Sequence, residues 1–110
     1  MQANLLHPLP DASGAEVFET LLQSPHVRIE RIVSDGQVSP EWYDQAETEW
    51  VLLLAGAARL LFEGDATETQ LLPGDHVLIE PHRRHRVTYT APQTVWLAVW
   101  ATDGVFDPAT

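Results

Sequence analysis

The chain has 110 residues, room for one core and not for two, and its 45% hydrophobic and 20% charged content is ordinary for a globular domain. A formal net charge of −10 repels phosphate backbones, which sets nucleic acid aside as a partner. Cysteine and lysine are both absent, excluding disulfides, thiolate metal sites and Schiff-base chemistry.

Residues 1–14 carry Pro8, Pro10, Asp11, Ser13 and Gly14 and read as an irregular leader, without the basic and apolar regions of a secretion signal. Glu16–Gln23 (EVFETLLQ) fits either a short helix or a first strand, and Pro25 ends it in both cases. Val27–Val33 (VRIERIV) sets Val27 and Ile29 against Arg28 and Glu30, as a half-buried strand does. Trp50–Leu54 is a continuous apolar strand that stops at Ala55-Gly56. Ala57–Phe62 resumes after a tight turn and is closed by Glu63-Gly64-Asp65. Thr67–Leu72 alternates weakly up to Pro73-Gly74-Asp75, a strong turn signal. His76–Ile79, His85–Thr90 and Val95–Trp100 complete the set, and the tail, 101–110, has no pattern.

Short strands between turn residues, with no helical period, predict one all-β domain, a sandwich or barrel with its core at about residues 16–100. The longest apolar run, Trp50 to Ala58, is far short of the roughly 20 residues of a membrane span. A soluble, cytoplasmic protein that does not enter a membrane is expected.

Two stretches carry chemistry. WYDQAETEWVLLLAG, from Trp42 to Gly56, places Asp44, Glu47 and Glu49 just before a buried strand. Carboxylates that close must splay into water, take up a proton or recruit a cation. A hairpin through Gln45–Thr48 would set Asp44 opposite Glu49 on one face and leave Glu47 at the turn. The plainer alternative is a solvated acidic loop. The second stretch, GDHVLIEPHRRHRV from Gly74 to Val87, holds three of the five histidines and three of the six arginines.

Together these stretches resemble the cupin superfamily, small β-barrels with the motifs G-x5-H-x-H-x3,4-E-x6-G and G-x5-P-x-G-x2-H-x3-N. The first lays onto Gly36, Trp42, Asp44, Glu49 and Gly56. The second lays onto Gly74, Glu80, His82, His85 and Tyr89, with Pro81 displaced by one position. The match spans about residues 27–100 and implies a cupin-type double-stranded β-helix, a jelly-roll-like barrel. Family members hold one divalent metal with these histidines and the glutamate. The resemblance therefore implies a site of Asp44, Glu49 and His85, suited to Fe, Mn or Zn, with Trp42 standing where a ligand is missing. It also turns His85, Val87 and Tyr89 toward the barrel interior and brings His82 to its rim. Without a metal, His85 as imidazolium between two carboxylates would stabilise the same cluster.

Trp42, Glu47, His82 and Tyr89 are the candidate contacts for a small-molecule ligand, with Glu47 or His82 able to move a proton at the mouth. Arg83, Arg84 and Arg86 point outward, and His76 is partly exposed. Two functions follow from the resemblance. One is a metal-dependent enzyme, an oxidoreductase, isomerase or decarboxylase acting on a small organic molecule. The other is a non-catalytic small-molecule-binding cupin without a competent metal site. Apolar residues beyond what one barrel needs, Val95, Leu97 and Val99 among them, and an edge strand such as VRIERIV predict a homodimer.

Overall fold

A computed structural model describes residues 2–102. Eight strands follow in order: β1 (Val17–Gln23), β2 (Val27–Ser34), β3 (Thr48–Ala55), β4 (Ala58–Phe62), β5 (Thr69–Leu71), β6 (His76–Ile79), β7 (His85–Thr90) and β8 (Thr94–Ala101). Among the described residues there is no helix, and so none that could cross a membrane. The all-β expectation holds. The ambiguous Glu16–Gln23 segment is a strand, because β2 offers it a full antiparallel ladder from Val17↔Val33 to Gln23↔Arg28. The Ser24 hydroxyl closes that hairpin by accepting from the Val27 N–H at 3.1 Å.

The strands form two antiparallel sheets, five-stranded in the order β1-β2-β8-β3-β6 and three-stranded in the order β5-β4-β7. Alternation decides what lies between them. On β3, Glu49, Val51 and Leu53 point inward and are buried, while Trp50 and Leu52 point out. Trp96 and Ala98 of β8, Ile32 of β2, Leu60 and Phe62 of β4 and Ile79 of β6 fill the same core. At one end it is solid; at the other it opens into a cup.

The leader is irregular yet tied down. Arg31 Nη1 donates to the carbonyls of Leu5 and Pro8, each at 3.1 Å, and Ala12 is buried under a bond from Gln37 to its carbonyl. The tail begins inside β8, at Ala101; residues 103–110 lie outside the described residues. Leu97 and Val99 sit half-buried on the outer face of the large sheet, whereas Val95 is fully buried. Across that outer face Leu78, Trp50, Val99, Ile29 and Leu22 form one apolar row in register, with Leu22 61% exposed at its edge.

The β3–β4 turn depends on Gly56. Its φ is +87°, and a Cβ there would stand 2.8 Å from the Thr94 Cα on buried backbone. Gly64 has a similar φ of +89° with nothing near it. Gly64→Ala should therefore cost about 1 kcal/mol, the conformational part alone, and Gly56→Ala about 2–4 kcal/mol. Urea unfolding of both variants checks this; equal losses would show that the approach to Thr94 is not a constraint.

Candidate functional site

The cup encloses a cavity of about 130 Å³. Its walls are apolar, built from Ile32, Val51, Leu60, Ile79 and Val87, with the rings of Phe18, Tyr43, Trp96 and Trp100 around them. Beside the Tyr43 hydroxyl and the indole N–H groups, the polar side chains lining it among the described residues are Glu16, Gln45, Glu49 and His85.

The segment before β3 sets this lining. Tyr43 makes a two-way bridge with His85, its N–H donating to the His85 carbonyl at 2.7 Å and its carbonyl accepting from the His85 N–H at 3.2 Å. Two residues on, the Gln45 carbonyl accepts from the His82 N–H at 2.7 Å. The segment thus runs extended beside the start of β7, and alternation turns Tyr43 and Gln45 toward the cup, with Tyr43 at its mouth and 43% exposed. Trp42 and Asp44 turn out. No hairpin through Gln45–Thr48 forms, and Glu49 faces Ile79 and Trp100 on neighbouring strands rather than Asp44.

Glu49 and His85 do meet in the cup. The His85 Nδ1 lies 2.8 Å from the Arg83 carbonyl, which can only accept, so this nitrogen carries the proton. Nε2 is left as a bare acceptor, 4.0 Å from Glu49 Oε1. Gln45 Nε2 donates to the same Glu49 oxygen at 3.2 Å. Burial pushes the Glu49 carboxyl up to about 7, and the nearby Glu30 pushes the same way; the Gln45 bond and Arg28 oppose them. Burial also pushes His85 down. Burial disfavours the charged form of both groups, so Glu49 is only partly ionised near pH 7 and the 4.0 Å approach is a polar contact across a small gap more than an ion pair. The imidazolium between two carboxylates is not what forms.

The other expected residues lie elsewhere. Asp44 is exposed and pairs with the exposed His82, Nδ1 to Oδ1 at 2.7 Å. Trp42 packs outside under the guanidinium groups of Arg86 and Arg84, at 4.9 and 5.8 Å from its ring centroid. Glu47 stands at the rim, 3.5 Å from Arg28 Nη1. Tyr89 faces outward because Thr88 is an extra residue in the ladder: Leu60 pairs with Val87 and Arg59 with Tyr89. That bulge reverses the alternation, so His85 and Val87 line the cup, Tyr89 stacks on Arg59 at 4.9 Å, and Thr90 is buried. His76 is exposed against Trp50, as expected of a residue with no part in the site.

Tyr43, Gln45 and Glu16 were missed by the motif reading. The first two were within its reach: a spacing of three residues before Glu49, instead of four, puts Tyr43 and Gln45 at the two histidine positions. Glu16 gave no signal. Its carboxylate accepts from the Ser34 hydroxyl, which in turn accepts from Trp96 Nε1 at 3.0 Å, so one chain of bonds orients the Trp96 ring.

The donors do not fit the divalent metal that the resemblance implies. One imidazole nitrogen and two carboxyl groups, Glu16 and Glu49, line the cup, but Glu16 is engaged by the Ser34 hydroxyl and the three are not gathered as the ligands of an ordinary catalytic site are. Among the described residues no three His, Cys, Asp or Glu side chains are placed to hold an ion.

No family model and no curated protein matches the chain. Solved structures do. A protein from Ralstonia eutropha JMP134, named as a candidate mannose-6-phosphate isomerase, is 40% identical over 93% of this chain and 98% of that one, with a TM-score of 0.88. A cupin superfamily protein from Desulfitobacterium hafniense DCB-2 is 21% identical over 86% of this chain and 84% of that one, with a TM-score of 0.74. An RmlC-like cupin from Desulfovibrio desulfuricans is 18% identical over 92% and 95%, with a TM-score of 0.77. With the two-sheet cup, the turn glycines and a near-full-length relative all in agreement, the chain belongs to the cupin superfamily.

Proposed function

We propose that this cupin is a binding module for one small organic molecule, held in the cup without a divalent metal. The observation that carries the reading is the lining: an apolar, ring-rich wall around a few polar groups, among which Glu16, Glu49 and His85 are not grouped to hold an ion. A cavity of about 130 Å³ is close to one that takes a benzene-sized guest. The name of the Ralstonia relative points to a sugar phosphate. A phosphate would meet Glu16 and Glu49 here with no Arg in the lining, so that class of substrate is set aside.

A second reading, proton-transfer catalysis, is favoured by one observation. A carboxyl pushed up to about 7 stands beside an imidazole with a bare Nε2, a pair that can hold and pass a proton near neutral pH. An isomerase or decarboxylase would use Glu49 as the acid and His85 as the base. Fe, Mn or Zn would find no three donors gathered among the described residues.

The assembly we propose is a cytoplasmic homodimer. The apolar row across the outer face of the large sheet supports it, since a second copy would cover Trp50, Ile29 and Leu22 together. Light scattering should give twice the chain mass, falling to one chain for Leu22→Glu. A monomeric wild type would contradict the assembly.

The metal claim is tested by repair. Tyr43→His/Gln45→His should create a site with Glu49 and His85 that takes Zn(II) or Mn(II) stoichiometrically and raises the melting temperature. Wild type and Trp42→His/Asp44→His should do neither. Stoichiometric metal in the wild type, by elemental analysis of protein purified without chelators, would overturn the metal-free reading.

Stability should depend on pH through the same pair. The unfolded Glu49 carboxyl releases its proton near 4.5 and the folded one near 7, so the folded state binds more protons in between. Stability therefore falls as pH rises through that window, by roughly 3 kcal/mol for this group. His85 acts oppositely: its folded pKa is depressed, so stability falls as pH drops below its ordinary 6.5. Urea titrations at several pH values should show the loss from pH 5 to 8 reduced in Glu49→Gln; an unchanged profile would place Glu49 in water.

A further inference from the structure

The cup is built for one sign of charge. Phe18, Tyr43, Trp96 and Trp100 bring four aromatic rings to a cavity whose acidic groups are Glu16 and Glu49 and whose lining has neither Arg nor Lys. Aromatic faces carry negative potential, and the chain as a whole carries −10. At the rim the molecule already holds a cation in this manner. The Arg28 guanidinium sits over the Trp100 ring at 5.1 Å, with Glu30 and Glu47 each at 3.5 Å. Trp100 therefore has one face on a bound cation while its side chain also lines the cavity.

We propose that the molecule taken by the cup is a small organic cation, an alkylated ammonium bearing a hydroxyl or carbonyl oxygen, held by the aromatic rings and the two carboxyl groups. The proposal rests on the reading of the cup as a small-molecule site. Two details shape the ligand. The wall is set before binding: the Glu16–Ser34–Trp96 bonds fix one ring, and Tyr43 is pinned through its backbone to His85. His85 Nε2 and the Gln45 amide line the cup, an acceptor and a donor that a hydroxyl or carbonyl oxygen on the ligand would meet. An anion is disfavoured by both carboxyl groups, and a neutral guest forgoes the attraction of the rings.

The test compares two probes of equal shape. Choline carries a quaternary nitrogen where 3,3-dimethylbutan-1-ol carries a neutral carbon, and both keep the hydroxyl. In calorimetric titrations of the full chain, choline should bind about tenfold more tightly than the alcohol. The isosteric Glu16→Gln and Glu49→Gln should each reduce that ratio, and an unchanged ratio in both would overturn the role of the two carboxyl groups. Equal binding of the two probes overturns the cation assignment and leaves the cup reading standing. If neither binds at millimolar concentration, both fail.

Discussion

Two backbone hydrogen bonds between Tyr43 and His85 decide what this cup contains. They join a segment that belongs to neither sheet to the first residue of β7, and strand alternation does the rest. With Tyr43 paired to His85, its side chain and that of Gln45 face inward, and the carboxylate of Asp44 goes to the surface. A slip of one residue would exchange a phenol and an amide for an indole and an acid. The chemistry of the interior is thus set by a main-chain constraint.

The electrostatic character follows. With Asp44 outside, Glu49 has no second carboxylate in direct contact and no cation bound to it, and a buried acid in that position holds its proton up to about pH 7. His85, its Nδ1 committed to a carbonyl, presents a lone pair. Charge is moved outward instead. Asp44 with His82, Glu63 with Arg84 and Glu47 with Arg28 are pairs at the rim or on the surface, and such exposed pairs contribute little to stability. Their value lies in leaving the interior with few polar groups and no arginine. An interior of that kind recognises a guest by shape, rings and sign of charge more than by ligation.

Much of this was legible in the sequence. Val27–Val33 alternates and is a strand; Pro73-Gly74-Asp75 is a turn, with Gly74 at φ +95° and the Asp75 carboxylate accepting from the Leu72 N–H at 2.8 Å. Glu49 and His85 were found and do meet. What failed was parity. Spacings of three and four residues before Glu49 are both allowed by the family pattern, although only four keeps Gly36 in register, and they point opposite faces inward; the pairing with His85 chooses. Tyr89 failed for a related reason, since a bulge at Thr88 leaves no mark that periodicity detects. Glu16 was invisible because its place in the cup comes from the β1–β2 ladder, a contact between strands that one strand's pattern does not encode.

The inward facing of Tyr43 is the claim on which the rest turns, and it is open to direct observation. Proton–proton Overhauser contacts in the isotopically labelled protein at neutral pH should link the Tyr43 ring, whose centroid is 5.6 Å from that of His85, to the imidazole and to the Val87 methyls. The Trp42 indole should show contacts to the Arg84 and Arg86 side chains alone. Contacts from Trp42 to His85, with Tyr43 silent, would reverse the parity and return Asp44 to the cup.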